Sequence, residues 1–569
     1  MHSQLPCLDL LRVTMNGNVP PPKKFSTELS DYSKAHGEKT GPYDPDLEVD
    51  SLVVGAGFAG IFMLKTLRDR GHNVVIYEAG NDLGGTWRWN CYPGAAVDSE
   101  VPDYEFSWPE VWETWNWTSN YPNYEELRAY FDHVDKVVGV KKSCAFNTVV
   151  SGAHFDVDTG RWIVKTSDGR TAKAKYLVLG TGFAAKRYVP PWPGMDKFKG
   201  VIHHSSFWPD EKVDVKDKRC AVIGTGASGV QIVQAWGPIA SEVKVFQRTP
   251  NLALPLRKRD LTVAEQETAK KLYPELFRYR EKTYAGFIYD WQEKNALDDT
   301  PEKQQELYEK KWAEGGFRFW LSTYKDSLSN PESNKLSYNF WAKKTRDRIG
   351  DPRKREILAP LEMPHFFGVK RPCLELNYYE QFNRPSVDVV SIQDNAIEGF
   401  DETGIILQDG SHHDFDIIAV ATGFLGLRSI HETNLEDEWK TGADTYLGLT
   451  VGGYPNLFHM YGVHGPTLLS NGPTSIEVQG RWIADCIEKM ERKRIKYINP
   501  KPDAVKAWKD HIVALNNGTL LPTTQSTYMG GSIPGKVKEP VCYTAGVGRY
   551  STEIRNALDS MDGFDQVML

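Results

Sequence analysis

The chain has 569 residues with 68 Lys and Arg against 75 Asp and Glu, a net charge of −7, and carries 17 Trp, 26 Tyr and 24 Phe. Such length asks for two or three domains and such aromatic content for well-packed cores, which excludes a disordered chain, while the mild acidity gives no footprint for a nucleic acid or an anionic membrane. No run of about 18 apolar residues is present, so no membrane span is expected, and seven scattered cysteines without a C-x-x-C suit reduced thiols in the cytoplasm.

Residues 1–47 form a polar N-terminal extension with a Pro20-Pro21-Pro22-Lys23-Lys24 cluster, too poor in apolar groups to build a core. A short buried strand, Asp50 to Val54, then runs into Gly55-Ala56-Gly57-Phe58-Ala59-Gly60. A helical run from Ile61 to Leu67 and a strand from Asn73 to Glu78 follow, so the glycines sit at the first turn of a βαβ unit. The same grammar returns 169 positions later: the strand Cys220 to Ile223, then Gly224-Thr225-Gly226-Ala227-Ser228-Gly229, a helix, and the strand Glu242 to Phe246. Sequence from about 260 to 348 is charged, aromatic and helix-periodic, and reads as a helical insertion. Strand-like runs resume at Val387 to Val390 and Asp416 to Val420. The second ends in Ala421-Thr422-Gly423-Phe424, a sister of Gly180-Thr181-Gly182-Phe183, and the pair marks two crossings between domains.

The expected fold is α/β, with two Rossmann-like dinucleotide-binding domains. Residues 48–185 and 372–569 form a discontinuous FAD domain, and 186–371 an NADPH domain carrying the insertion. In each loop the first glycine makes the turn and the second admits a pyrophosphate. The third lets helix and strand pack, with the phosphates over the helix N-terminus. The residue closing the second strand tells the sites apart. Glu78 accepts hydrogen bonds from ribose hydroxyls and repels a 2′-phosphate, which suits FAD or NAD. Gln247-Arg248-Thr249-Pro250 offers no acid, and Arg248 is a planar cation suited to a 2′-phosphate, which assigns the second site to NADPH. One nucleotide is then a hydride source and the other a flavin acceptor. Flavin disulfide reductases share this layout but need a redox cysteine pair near the first unit, where Cys91 has no partner nearby in sequence.

Between the loops, Phe198-Lys199-Gly200-Val201-Ile202-His203-His204-Ser205-Ser206-Phe207-Trp208-Pro209-Asp210 matches F-x-G-x-x-x-H-x-x-x-W-P. Gly84-Gly85-Thr86-Trp87, Tyr92-Pro93-Gly94 and Asp98 match G-G-x-W-x-x-x-x-Y-P-G-x-x-x-D. From about Val49 to its C-terminus the chain resembles the type I Baeyer–Villiger monooxygenases, to which both fingerprints belong. The resemblance implies FAD and NADPH as cofactors and insertion of one atom of O₂ beside a ketone carbonyl, giving an ester or lactone. The route it implies runs through a C4a-peroxyflavin and a tetrahedral adduct whose oxyanion a fixed cation stabilises. In Gly368-Val369-Lys370-Arg371-Pro372 the resemblance gives that role to Arg371, with Lys370 assisting at the NADPH phosphate and Asp98 orienting Arg371 near the nicotinamide.

It also places Gly85, Thr86 and Trp87 at the flavin. Tyr104 and Val150 match positions that line FAD, although by residue type each reads as core. His204 lies on the linker to the NADPH domain, and since this chemistry needs no base of that kind its role is positional. Trp482 reads as packing. Ser526 to Lys536 resembles the family's mobile active-site loop, with hinge glycines at Gly530 and Gly531. Relatives carry Trp after that serine; Thr527 stands here, beside Tyr528, and implies a wider pocket tolerant of bulky ketones. The resemblance also implies sulfide oxidation as an accompanying activity. The alternatives are a flavin N- or S-oxygenase and, in another class, an NADPH oxidase or redox sensor. No metal ligands are assigned, and neither the natural ketone nor the oligomeric state is encoded in any spacing.

Overall fold

A computed structural model describes Gly41 and residues 46–184, 187–424, 439–530 and 537–569. Nearly all of the polar extension, and Gly531 to Lys536 of the expected loop, lie outside the described residues.

Two sheets organise the chain. In the first, the order is Cys144–Ala145, Val74–Tyr77, Asp46–Val54, Thr171–Leu179, Arg161–Thr166, Val150–Asp156, with Leu457–His459 also pairing alongside Thr171–Leu179. The strands nearest the first glycine loop are parallel, and the last two are antiparallel. Alternation along each strand sends side chains to opposite faces. Val53, Ile76 and Val178 join a core with the helices Phe58–Arg68 and Gly472–Arg492. Leu52, Val54, Tyr77 and Leu177 face the other way, toward Trp162 and Val164. A strand covered on both faces reads as an unbroken apolar run, which is why Leu52-Val53-Val54 shows no alternation in sequence.

The second sheet is parallel throughout, in the order Val387–Ser391, Glu242–Gln247, Arg219–Ile223, Ile417–Val420, Val201–His204. This corrects the boundary expected at residue 372. Two strands of the stretch assigned to the first domain pair within the second, and the chain returns to the first sheet only at Leu457–His459. Short buried strands look alike whichever sheet they join, so the sequence holds no signal for the later crossing.

The insertion supplies the helices Val263–Lys270, Tyr273–Arg280, Pro301–Glu314, Arg318–Leu321 and Pro331–Arg346, and one more, Pro352–Leu358, beyond the expected end near 348. Its starts are written locally. Thr262 and Glu265 form a capping box, and Pro301, Pro331 and Pro352 open helices at a position whose N–H would be unsatisfied anyway. Arg280, fully buried, donates to the carbonyls of Pro102, Asp103 and Glu105 and so ties the insertion to the segment that follows Asp98.

Candidate active site

The two glycine loops have the same backbone geometry. Gly55 and Gly224 sit at φ 102° and 107°, where a side chain is strained, and a Cβ on either would meet a carbonyl oxygen of the neighbouring strand at 2.7 Å (Gly180) or 2.5 Å (Ala421). A Cβ on Gly60 would fall 1.8 Å from the Gly55 oxygen, and one on Gly229 2.1 Å from the Gly224 oxygen, so the third glycine of each loop is a packing requirement. The helices that follow start at Gly57 and Gly226 with no side-chain cap. Their first N–H groups therefore stay available, and the positive end of each helix favours a phosphate there. Both loops open on one cavity of about 1500 Å³, lined by Gly55, Gly57, Phe58 and Ala59 on one side and by Thr225, Gly226, Ala227 and Ser228 on the other. Nothing lies within 4 Å of a Cβ built on Gly226, so the second cradle is open where a pyrophosphate would rest.

The residues closing the second strands differ as the charge argument requires. Glu78 is buried and faces the cavity, but its oxygens also accept from the Ala56 and Gly80 N–H groups at 2.6 Å. It braces the loop as well as presenting acceptors to a ribose. Burial pushes its carboxyl up from the usual range, against the pull of those two bonds. Arg248 is exposed and lines the cavity with Lys370, and among the described residues neither has a carboxylate partner. Burial and then the nearby Arg248 charge push the Lys370 ammonium down. Two unneutralised cations side by side make an anion cradle that fits a 2′-phosphate. Gln247 does not join them: it is buried, donates to the Ile357 carbonyl at 2.7 Å, and is absent from the cavity wall. Adjacent residues of a strand point to opposite faces, so only one of Gln247 and Arg248 can reach the coenzyme.

Between the cradles stands Arg371. Its Nη2 donates to both oxygens of Asp98 at 3.1 Å and its Nη1 to the Leu468 carbonyl at 2.8 Å, with the guanidinium 4.8 Å above the Phe317 ring. Burial is the largest influence and opposes the charge, but Asp98 together with the neighbouring Tyr528 and Tyr461 holds the guanidinium above its ordinary pKa. Both residues line the cavity, about a third of the Arg371 side chain remaining open to it.

The Gly85-Thr86-Trp87 turn, Tyr104 and Val150 line the flavin side; Trp87 Nε1 donates to the Tyr104 hydroxyl at 3.0 Å, and Tyr104 packs edge-on against Phe58. Gln231 is a site residue that sequence reasoning missed. From the helix Ala227–Trp236 of the second cradle it accepts from the Tyr92 hydroxyl at 2.8 Å and donates to the Ala96 carbonyl at 2.9 Å. A Cβ on Gly94 would meet the Gln231 carbonyl at 2.8 Å. The Tyr92-to-Asp98 segment is thus moulded onto the second cradle's helix, two residues beyond the loop glycines.

Most of the long fingerprint lies behind the cavity, and of its residues Ser206 and Phe207 reach the cavity wall. Phe198 and Trp208 are core residues, and a Cβ on Gly200 would strike the Phe198 ring at 2.3 Å. His204 is buried: Ser206 N–H donates to its Nδ1, so Nε2 carries the hydrogen and bonds the Tyr188 carbonyl at 3.3 Å. Burial, then the Arg187 charge, pushes its pKa down to about 3, so it is a neutral strut. Past Pro209, Asp210 accepts from Arg88 at 3.2 Å and ties the fingerprint's end to the Gly85–Trp87 turn. In the loop near the C-terminus, Thr527, Tyr528 and Gly530 all line the cavity, on a single 3-10 turn Thr527–Met529 that ends at Gly530 with φ 63°.

Two dinucleotide cradles that share a cavity with a fixed cation define a flavoprotein oxidoreductase fed by a nicotinamide nucleotide. Residues 49–272 match the family model described as pyridine nucleotide-disulphide oxidoreductase; the six described cysteines are all buried, and no disulfide joins them. The chain is 54% identical to FAD-binding monooxygenase acrE of Aspergillus aculeatus, across 95% of this chain and 92% of the relative. It is 38% identical to cyclopentanone 1,2-monooxygenase of a Comamonas species, across 90% and 94% respectively. The crystal structure of cyclohexanone monooxygenase from Rhodococcus sp. Phi1 bound to NADP⁺ superposes with a TM-score of 0.88 at 31% identity, across 92% of this chain and all of that one. The chain belongs to the type I Baeyer–Villiger monooxygenase family.

Proposed function

We propose that this enzyme uses FAD, NADPH and O₂ to insert one oxygen atom beside a ketone carbonyl, releasing an ester or lactone. The observation that carries the reading is Arg371, a cavity-facing cation held by Asp98 between two nucleotide cradles of opposite charge character. Glu78, Gly57 and the uncapped helix from Phe58 would hold the flavin dinucleotide; Arg248, Lys370 and the helix from Ala227 would hold the nicotinamide dinucleotide. Bound FAD supplies activation of O₂ and bound NADPH the reducing hydride.

The protein's own contribution is electrostatic and positional. Asp98 and the Leu468 carbonyl fix the Arg371 guanidinium before substrate arrives, so no reorganisation is needed when negative charge develops on the ketone oxygen. The bidentate carboxylate also limits the cost of keeping that cation out of bulk water. Glu78, Trp87 and Tyr104 close the flavin side, and the Thr527–Met529 turn closes the other. Arg371 takes up no proton and gives none away; its raised pKa keeps it charged through the physiological range.

We assign the flavin cradle to a domain built on the first sheet and the coenzyme cradle to one built on the second, a division that the strand pairing supports. Among the described residues no helix is long and apolar enough to cross a membrane, and the buried thiols favour a reducing compartment such as the cytoplasm.

The reading is tested by following NADPH consumption and product together, with a panel of cyclic and linear ketones, thioethers and amines. Ester or lactone appearing in step with NADPH supports it. Oxygenation confined to sulfur and nitrogen makes the protein an N- or S-oxygenase instead. NADPH consumed only to hydrogen peroxide makes it an oxidase.

A further inference from the structure

The helical insertion reaches the Asp98–Arg371 pair from behind, at the corner Gly315-Gly316-Phe317-Arg318. Gly315 and Gly316 sit at φ 76° and 61°, a backbone that favours glycine, and a Cβ on Gly316 would lie 2.4 Å from the Tyr121 hydroxyl. The Gly316 N–H donates to the Pro255 carbonyl at 2.9 Å, and the Phe317 carbonyl accepts from the Leu321 N–H at 2.7 Å, so the corner is fixed on both sides. It turns two neighbouring side chains toward the pair. The Phe317 ring lies 4.8 Å beneath the Arg371 guanidinium. Arg318 Nη2 stands 2.7 Å from Oε2 of Glu100, which follows Asp98 by two residues.

This second ion pair is embedded in the protein. Only 20% of the Arg318 side chain and 18% of the Glu100 side chain are exposed, and the guanidinium lies 4.6 Å over the Tyr289 ring. Asn120 Nδ2 donates to the other Glu100 oxygen at 3.2 Å, and the Asn120 carbonyl accepts from the Val101 N–H at 3.0 Å. The chain is thus anchored immediately after Asp98. Neither Glu100 nor Arg318 is among the described residues that line the cavity. Stability alone is a poor reason for such a pair, because burying two charges costs about as much as their attraction returns, and apolar residues of similar volume often serve as well. What the pair supplies is position. A planar guanidinium held between a ring and a carboxylate is a directional anchor. Two residues of chain span at most about 7 Å, so a shift at Glu100 is felt at Asp98 and, through it, at Arg371.

We infer that Arg318 is a positioning residue for the oxygen insertion: by holding Glu100 and, through the adjoining Phe317, the underside of Arg371, it sets where the Arg371 guanidinium stands in the cavity. The inference rests on the ketone-oxygenating reading above. No bond is made or broken at Arg318 or Glu100; both act through Asp98 and Arg371. Position matters because a cation that meets developing negative charge must already be in place, and a misplacement of about 1 Å can cost on the order of 100-fold.

The test compares the R318M and E100Q holoenzymes, and the double variant, with the parent on a ketone that the parent converts. In each single variant kcat for ester formation is expected to fall on the order of 10-fold, while KM for the ketone stays within about threefold, since no substrate contact has been removed. The double variant is expected to lose no more than the weaker single, because both substitutions break the same pair. Anaerobic reduction of the flavin by NADPH is expected to stay within about twofold of the parent, and a larger share of the NADPH consumed should end as hydrogen peroxide. E100Q keeps the shape of the side chain and an acceptor for Asn120, so it decides alone if R318M fails to retain FAD. Unchanged ester formation in E100Q overturns the inference. So does a loss in E100Q that appears in KM instead of kcat, or one matched by an equal slowing of flavin reduction, since either would give the pair a role in the fold at large. Losses that multiply in the double variant overturn it too, by showing that the two residues act separately. If the parent itself forms no ester from any ketone, the functional reading fails first and takes the inference with it.

Discussion

The loops Gly55–Gly60 and Gly224–Gly229 are alike in everything the backbone does and unlike in what closes them. Both have their first glycine near φ 100°, their third pressed against the first, and a helix that starts uncapped over the cavity. At the end of the following strand the first carries Glu78, buried and bonded into its own loop, while the second carries Arg248, exposed and with no carboxylate partner among the described residues. The shared part suits what the two nucleotides have in common, a pyrophosphate. The differing part suits what separates them, a free ribose or a phosphorylated one. A closed, internally bonded end suits a cofactor that stays; an open cationic end suits a coenzyme that comes and goes with each turnover. The Asp98–Arg371 pair belongs to neither loop and stands between them.

Three substitutions test that division, and the strongest asks whether the chemistry can be removed while both cradles keep working. Arg371→Ala should keep its FAD, and NADPH should still reduce it, but ester formation should fall by about 10²–10³-fold, the scale for losing a preorganised charge at an oxyanion. Stopped-flow reduction read beside product analysis checks this, and near-normal ester yield would remove Arg371 from the mechanism.

The next breaks the asymmetry itself. Arg248→Ala should weaken NADPH binding by about 1.5–3 kcal/mol, the range for a charged hydrogen bond, with flavin content unchanged and NADH binding little affected. A variant that discriminates NADPH from NADH as well as the parent would show that the phosphate is recognised elsewhere. The smallest effect concerns the loop that closes the cavity. Thr527→Trp should narrow the pocket and shift the kcat/KM ratio of a small to a bulky ketone by roughly tenfold in favour of the small one. An unchanged ratio would mean that residue 527 does not border the substrate.

What the sequence made legible follows from how local each signal is. The glycine loops and the strand-closing Glu78 and Arg248 are encoded within a few residues, and the structure has each where the pattern put it. The Asp98–Arg371 pair spans 273 positions, and no local pattern joins two such residues; only the family resemblance brought them together. Gln247 was placed at the coenzyme because it neighbours Arg248, yet strand alternation turns it inward. The boundary at 372 failed for a similar reason, since Val387–Ser391 and Ile417–Val420 are apolar runs that suit either sheet. Gln231 had no signal beyond lying near a motif, and its significance lies in the partners it makes across the fold.

The measurement that bears most directly on the account is turnover under ¹⁸O₂ in ordinary water, with NADPH and a mixture of ketones, followed by mass spectrometry of the products. The account predicts esters or lactones that gain one ¹⁸O atom each, in step with NADPH consumed. Products carrying unlabelled oxygen from water, or NADPH consumed with the ketones left intact, would contradict it.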